Sequence, residues 1–171
     1  WYDAVNTMKG GFSMDGKLLR QAFGKFPTGV TVVTWFDQDG KKGITVNSFT
    51  SVSLEPPLAL ISIDKKAKSY TQLQNKHFTI NVLAANQEAI AWQFAGREQE
   101  GLTIPWSEDG DSPSIIGSAA YFKCKPWKEY DAGDHVLFIG EIIEFDRQDS
   151  DSLTFFEGKM GSTQSYVNQK A

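Results

Sequence analysis

Short runs with the two-residue alternation of strands fill most of the chain, broken by a few stretches with the three-and-four spacing of a helix. In MDGKLLRQAFGKF the apolar residues Leu18, Leu19, Ala22, Phe23 and Phe26 form a helical stripe, which Pro27 stops. GVTVVTWFD is β-branched and aromatic, QDGKK carries an Asp-Gly turn signal, and GITVNSFT resumes the strand pattern, so the three pieces read as a hairpin. After Pro56 and Pro57, LALISI is the continuous apolar run of a buried strand, and KSYTQLQ predicts a short helix. HFTINVL is another strand. Asn86 is placed as N-cap of the helix QEAIAWQFA, which ends at Gly96.

Residues 97–114 are polar and rich in turn formers, a long loop of the kind that often carries function. AAYFKCKPWKEY and HVLFIGEIIEFD read as two long strands joined through DAGD. In the second, Leu137, Ile139 and Ile143 share one face and Val136, Phe138 and Ile142 the other, so both faces are expected to be buried. LTFFEGK supplies a last strand. About seven strands and three short helices, without regular βαβ alternation, predict a mainly β protein, a closed antiparallel barrel with helical decoration. One domain is expected over residues 14–165, with residues 1–13 as an N-terminal extension.

Composition narrows the function classes. The 171 residues are 40% apolar with twelve Phe and five Trp, enough for a sizeable core. A net charge of -4 argues against a sequence-independent nucleic-acid binder, which needs a basic face. Cys124 is the one cysteine, so there is no intrachain disulfide and no Cys-x-x-Cys motif, and a reducing, cytoplasmic location is expected. No apolar run approaches the roughly 18 residues of a spanning helix, and no signal-peptide pattern opens the chain, so neither membrane insertion nor secretion is expected. Rossmann and Walker glycine patterns, His-Glu-x-x-His and Gly-x-Ser-x-Gly are all missing, and two histidines with one cysteine make a metal site unexpected.

Three stretches carry candidate chemistry. In GITVNSFTSVSLEPPL, strand alternation sends Thr45, Asn47, Phe49 and Ser51 one way and Ile44, Val46, Ser48 and Thr50 the other, so neither face is purely apolar. Two readings fit: the polar groups, Asn47 above all, meet the donor–acceptor edge of a planar heterocycle, or an edge strand runs into a Ser-rich turn satisfied by water and backbone. In IDKKAKSY, Lys65, Lys66, Lys68 and Ser69 stand between a strand end and a helix start, which reads either as a phosphate site or as a solvated basic turn. In DAGDHVLFIGEI, His135 opens a long strand, placed to orient a substrate or carry a proton, or simply capped by Asp134. His77 has no polar company and reads as structural.

Taken together, FGKFPTGVTVVT, GITVNSFTSVSLEPPL, HFTINVLAANQEAIAWQFAG, GDHVLFIGEI and LTFFEGKM, in this order from about Leu18 to Lys159, resemble the flavin reductase-like family with an FMN-binding split barrel. That family includes the small reductase components of two-component flavin-dependent monooxygenases. The resemblance implies a six-stranded antiparallel split barrel with short helices, a homodimer, FMN or FAD as the flavin, NADH or NADPH as electron donor, and a monooxygenase or other acceptor for the reduced flavin. It places Thr45, Val46, Asn47, Ser48 and Ser53 along the flavin, and Lys65, Lys66 and Ser69 near its phosphate. Pro27, Thr28, Gly29 and Lys159 border the same site, and Gly133, Asp134 and His135 take the nicotinamide. Where relatives often carry Asn-Arg-Ser-Ser, this chain reads Asp64, Lys65, Lys66, Ala67, which bears on the choice between FMN and FAD. The implied chemistry is hydride transfer from nicotinamide to flavin, with residues 97–114 forming part of the nicotinamide wall. A flavoprotein that keeps its flavin, and a flavin binder without turnover, are the alternatives.

Overall fold

The computed structural model describes residues 15–164, so the expected extension over 1–13 and the outermost ends of the expected domain, 14 and 165, lie outside the described residues. In chain order come α1 (Gly16–Phe23), β1 (Thr28–Gly29), β2 (Thr31–Asp37), β3 (Gly40–Val46), β4 (Thr50–Leu54), β5 (Pro57–Asp64) and α2 (Lys68–Leu73). Then follow β6 (Phe78–Val82), α3 (Glu88–Phe94), β7 (Trp106–Ser107), β8 (Ser114–Ile115), β9 (Ala120–Ala132), β10 (His135–Arg147), β11 (Leu153–Phe156) and β12 (Lys159–Ser162). The protein is mainly β and every ladder is antiparallel.

The main sheet has seven strands in the order β3-β2-β6-β9-β10-β5-β4, and a separate three-stranded sheet runs β1-β11-β12. Among the described residues no ladder closes the main sheet, because β3 and β4 are its edges, and here the structure differs from the closed barrel expected. The sheet nevertheless curls: Ser48, just past β3, donates its hydroxyl to the Ser62 carbonyl on β5 at 3.0 Å and accepts from the Ser62 amide at 2.9 Å. One hydroxyl does the work of two ladder bonds across the gap.

The unbroken burial of Thr31 to Trp35 in β2 follows from their position between two cores. Val33 and Trp35 enter one, with Ile61, Ile63, Phe78, Ile80 and Phe138. Val32 and the neighbouring Val30 enter the other, with Leu83, Ile90, Ala91, Ile115 and Leu153. Thr79 and Asn81, on the second face of β6, are fully buried beneath the loop at 112–115: Thr79 shares a hydrogen bond with the Ser112 hydroxyl at 2.7 Å, and the Asn81 carbonyl oxygen accepts from the Ile115 amide at 2.8 Å. The loop is thus strapped down by polar side chains of the sheet.

Three local expectations are corrected, and the helix expected from the apolar stripe before Pro27 is present. The α1 stripe exists, but none of its side chains is buried; Leu18 and Phe23 are 62% and 68% exposed. Asn86 lies within a short 3-10 turn, and it is the Gln87 side-chain oxygen that accepts from the Ala84 amide, at 3.0 Å. On β10, Val136 and Phe138 are buried, but a bulge between Ile142 and Glu144 turns Ile143 and Phe145 to the surface. The final strand is a hairpin, β11 and β12 joined at Glu157 and Gly158, both with positive φ. Among the described residues no helix is long and apolar enough to cross a membrane.

Candidate functional site

The polar stretch after β3 resolves residue by residue. The Thr45 hydroxyl donates to the Ala91 carbonyl of α3 at 2.6 Å, and the Ser48 hydroxyl is committed to Ser62. Asn47, between them, is exposed and its amide has no hydrogen-bond partner among the described residues. Two of the three polar side chains therefore anchor the segment, and the third is presented.

Asn47 opens on a groove of about 210 Å³ lined also by Val30, Thr45, Val46, Trp92, Ala95, Phe155 and Met160. Its walls come from three places. β3 supplies Thr45 and Val46, α3 supplies Trp92, and the β11–β12 hairpin supplies Phe155 and Met160, which face each other across their ladder. Thr28 pairs with Phe155, so β1 brings the Thr28–Gly29 backbone to the same hairpin, and Lys159 precedes Met160 on its exposed side. An open groove of this size, below the roughly 300–1,000 Å³ of a whole ligand site, fits a flat ring system and leaves the remainder of a ligand outside.

A second cluster lies where β5 ends against the β9–β10 turn. His135 pairs with Asp64 across the ladder. The Lys65 amide donates to the Asp134 carbonyl at 3.0 Å, and its ammonium lies 2.9 Å from the Gly133 carbonyl and 3.0 Å from an Asp131 carboxylate oxygen. Gly133 has φ +66, the left-handed backbone that favours glycine at this turn. The Asp134 carboxylate meets His135 Nδ1 at 2.7 Å, and that hydrogen bond, followed by the imidazole's charge, holds its pKa below the ordinary carboxylate range. The Asp64 carboxylate, the departure from the family pattern, is turned back to accept the Lys66 amide at 2.8 Å, so it shapes the turn. The Lys66 side chain is exposed and Ser69 is buried.

The two clusters meet through one joint. Ser48 touches Ser62, and Lys65 follows three residues later, about 10 Å along the chain at strand rise. Two hydroxyls among the candidates, Thr28 and Ser69, are buried without a hydrogen-bond partner among the described residues. An unpaired buried hydroxyl costs about 1 to 3 kcal/mol, a deficit that an acceptor-rich ligand relieves. An apolar slot with a presented amide, and orphaned hydroxyls at both clusters, suit a flavin with its phosphate. The structure does not bring every candidate together: Ser53, whose hydroxyl accepts the Glu55 amide at 3.2 Å, lines a separate apolar cleft beside β4, and Pro27 is exposed and does not line the groove. The aromatic and thioether walls Trp92, Phe155 and Met160 were not among the sequence candidates. The signal available for two of them was FFEGKM, where a tight Glu-Gly turn sets Phe155 opposite Met160.

Known proteins resemble this chain in sequence and in overall fold. The model of the flavin reductase like domain family matches residues 23–164. The NADH-dependent FMN reductase of Agrobacterium fabrum is 38% identical over 149 residues, covering 86% of each chain. The reductase component of the flavin-dependent trigonelline monooxygenase of Acinetobacter baylyi is 38% identical over 91% of this chain, which spans 49% of that longer protein. A flavin reductase solved in its native state superposes with a TM-score of 0.83 at 40% identity, covering 87% of this chain and 98% of its own. The NADH:FAD oxidoreductase of Streptomyces globisporus, solved with NAD and FAD fragments, superposes with a TM-score of 0.78 at 39% identity, over 86% of this chain and 92% of its own. The chain belongs to the flavin reductase-like domain family.

Proposed function

We propose that this protein is an NAD(P)H:flavin oxidoreductase that passes a hydride from NADH or NADPH to FMN or FAD and supplies reduced flavin to a monooxygenase or another acceptor. The observation that carries the reading is the presented, unpartnered Asn47 amide at the edge of an apolar slot whose other polar residues are already satisfied. When bound, the flavin supplies the hydride acceptor, and the nicotinamide the hydride. The chain's own residues position. Asn47 offers two donors and an acceptor to a heterocycle edge. Val46, Phe155 and Met160 exclude water from the ring faces. Lys66 and Ser69 take the phosphate, while Lys65 braces the Gly133–Asp134 turn that presents His135 to the nicotinamide. Holding the two rings at about 3 to 3.5 Å is the main demand on the protein, since no protein nucleophile is needed.

The finer architecture follows the same reading. The curled sheet, with Ser48 bridging β3 and β5, is a six-stranded split barrel with an added edge strand. The homodimer is supported by an apolar cleft in which half-buried Phe49 and Phe122 and exposed Phe145 stack in series, at 5.7 and 6.5 Å between centroids, beside Leu54, which is 95% exposed. A contiguous patch of this kind marks a protein interface. The single thiol, Cys124, buried in the core with its pKa pushed up to about 12 by desolvation, suits a cytoplasmic setting.

The deciding experiment is anaerobic NADH or NADPH oxidation with catalytic and then excess FMN or FAD, followed by bleaching of the flavin band. Turnover of excess flavin is expected. Bleaching limited to one equivalent of bound flavin would support a retained prosthetic group instead, and no bleaching with either nucleotide would remove the reductase reading.

A further inference from the structure

Residues 97–114 do not line the groove directly, but the first of them touches its wall. The Arg97 guanidinium lies 4.1 Å from the centroid of the Trp92 indole, in cation–π range, and the Arg97 amide donates to the Trp92 carbonyl at 3.0 Å. The indole itself is fixed, its Nε1 donating to a Glu88 carboxylate oxygen at 3.0 Å. Arg97 is exposed and makes no ion pair among the described residues, although Glu98 and Glu100 are close in sequence. A guanidinium stacked on an aromatic face is oriented by that stack while its edge N–H groups stay free for a bidentate acceptor.

Its place along the groove gives it meaning. Thr45 is bonded to Ala91 of α3, so Trp92 and Arg97 stand at the Thr45 end of the segment, whereas Ser48 leads to Ser62 and the Lys65–Ser69 turn at the other. A ligand lying along Thr45–Ser48 meets a cationic group at each end. The lysine end is the one assigned above to the flavin's own phosphate.

We infer that Arg97, oriented by Trp92, is a specificity-determining residue that binds a second phosphate group, one carried by a nucleotide in addition to the flavin mononucleotide phosphate. The inference rests on the reductase reading. Two sources share this chemistry: the adenylate half of FAD and the phosphates of the nicotinamide dinucleotide.

The test measures dissociation constants of riboflavin, FMN and FAD by fluorescence quenching, and KM for NADH and NADPH, on wild type, Arg97→Ala and Arg97→Lys, with melting temperature as a folding control. Loss of one charge-assisted bidentate contact is expected to weaken the phosphate-bearing ligand about tenfold, with riboflavin and FMN unchanged. Arg97→Lys keeps the charge without the flat fork and should recover part of the loss. Weakened FAD alone assigns the contact to the flavin adenylate; a raised KM for NADH and NADPH with unchanged flavin affinity assigns it to the nicotinamide dinucleotide, and a raised KM for NADPH alone to its 2′-phosphate. A folded Arg97→Ala protein with all values unchanged, or with riboflavin weakened as much as FAD, overturns the inference. If wild type binds flavins but oxidises neither nucleotide, the reductase reading fails by itself and the FAD-against-FMN comparison decides Arg97. Wild type that binds no flavin removes both.

Discussion

The Ser48 hydroxyl both donates to and accepts from the backbone of Ser62, 14 residues away, at 3.0 and 2.9 Å. It is the point where the curled sheet is joined, and it couples the segment that presents Asn47 to β5, the strand that ends at Asp64 just before Lys65. Ser48→Ala leaves a part-buried amide and carbonyl unpaired, so the melting temperature should fall by about 5 °C, with flavin affinity falling alongside. Calorimetry with a parallel flavin titration checks this. Unchanged stability would mean that water replaces the hydroxyl and that the joint is dispensable.

Asn47→Ala should behave in the opposite way. The amide is exposed and bonds nothing within the described chain, so stability should hold within about 0.5 kcal/mol while flavin binding weakens about tenfold. A loss of stability with intact affinity would give Asn47 a structural role.

The contrast between these neighbours shows what the sequence could and could not disclose. Strand-like runs, whether alternating, β-branched or continuously apolar, located β2, β3, β5, β6, β9 and β10, because residue pattern and Gly-Pro punctuation are local signals. The polar stretch after β3 stood out for the same reason, but the division of labour within it did not. Thr45 is satisfied by Ala91 and Ser48 by Ser62, partners 46 and 14 residues distant, and no local pattern separates a hydroxyl that ties strands from one that faces a ligand. The α1 stripe was legible as a helix, but periodicity does not say how far the stripe is covered within the chain, and among the described residues only Leu19 is even half-buried. Trp92 read as an ordinary helix residue, since its place on the groove depends on how α3 crosses β3.

His135→Ala should raise KM for the nicotinamide nucleotide about fivefold or more while changing flavin affinity little. The imidazole projects from the first position of β10, its Nδ1 already engaged by Asp134, and no hydrogen bond within the described residues uses Nε2. Steady-state kinetics at saturating flavin separates the two effects. Lost flavin affinity with unchanged nucleotide dependence would reassign the residue.

Gly140→Ala tests the packing of the core beneath the site. A Cβ built at Gly140 comes within 2.6 Å of the Cys124 Cβ and 2.7 Å of the Phe78 ring, in a region where both neighbours are 99% or more buried. Neither can swing away, so overpacking should cost about 1 to 3 kcal/mol. Urea unfolding measures it, and a neutral substitution would show that the β9–β10 pair can part.

The last test concerns the far face of the sheet, where Lys123 is buried with its ammonium 2.8 Å from the Asp109 carbonyl and 2.9 Å from Glu144 Oε1. Tyr121 donates to the same Glu144 oxygen at 2.9 Å. Those two hydrogen bonds, Lys123 first, hold the Glu144 pKa below the ordinary carboxylate range, and Glu144 in turn raises that of Tyr121. A carboxylate with a lowered folded pKa contributes stability that is fully present above its unfolded value of about 4.3 and lost as pH falls through the folded one. Glu144→Gln should therefore melt below wild type at pH 7, and the gap should close as pH is lowered toward 3. Since the Glu144 side chain is 49% exposed, solvent screening keeps the neutral-pH gap to about 1 to 3 °C. Melting curves across that range decide the matter: a gap independent of pH would place the stabilisation in packing, and a gap that widens in acid would reverse the assigned direction of the Glu144 shift.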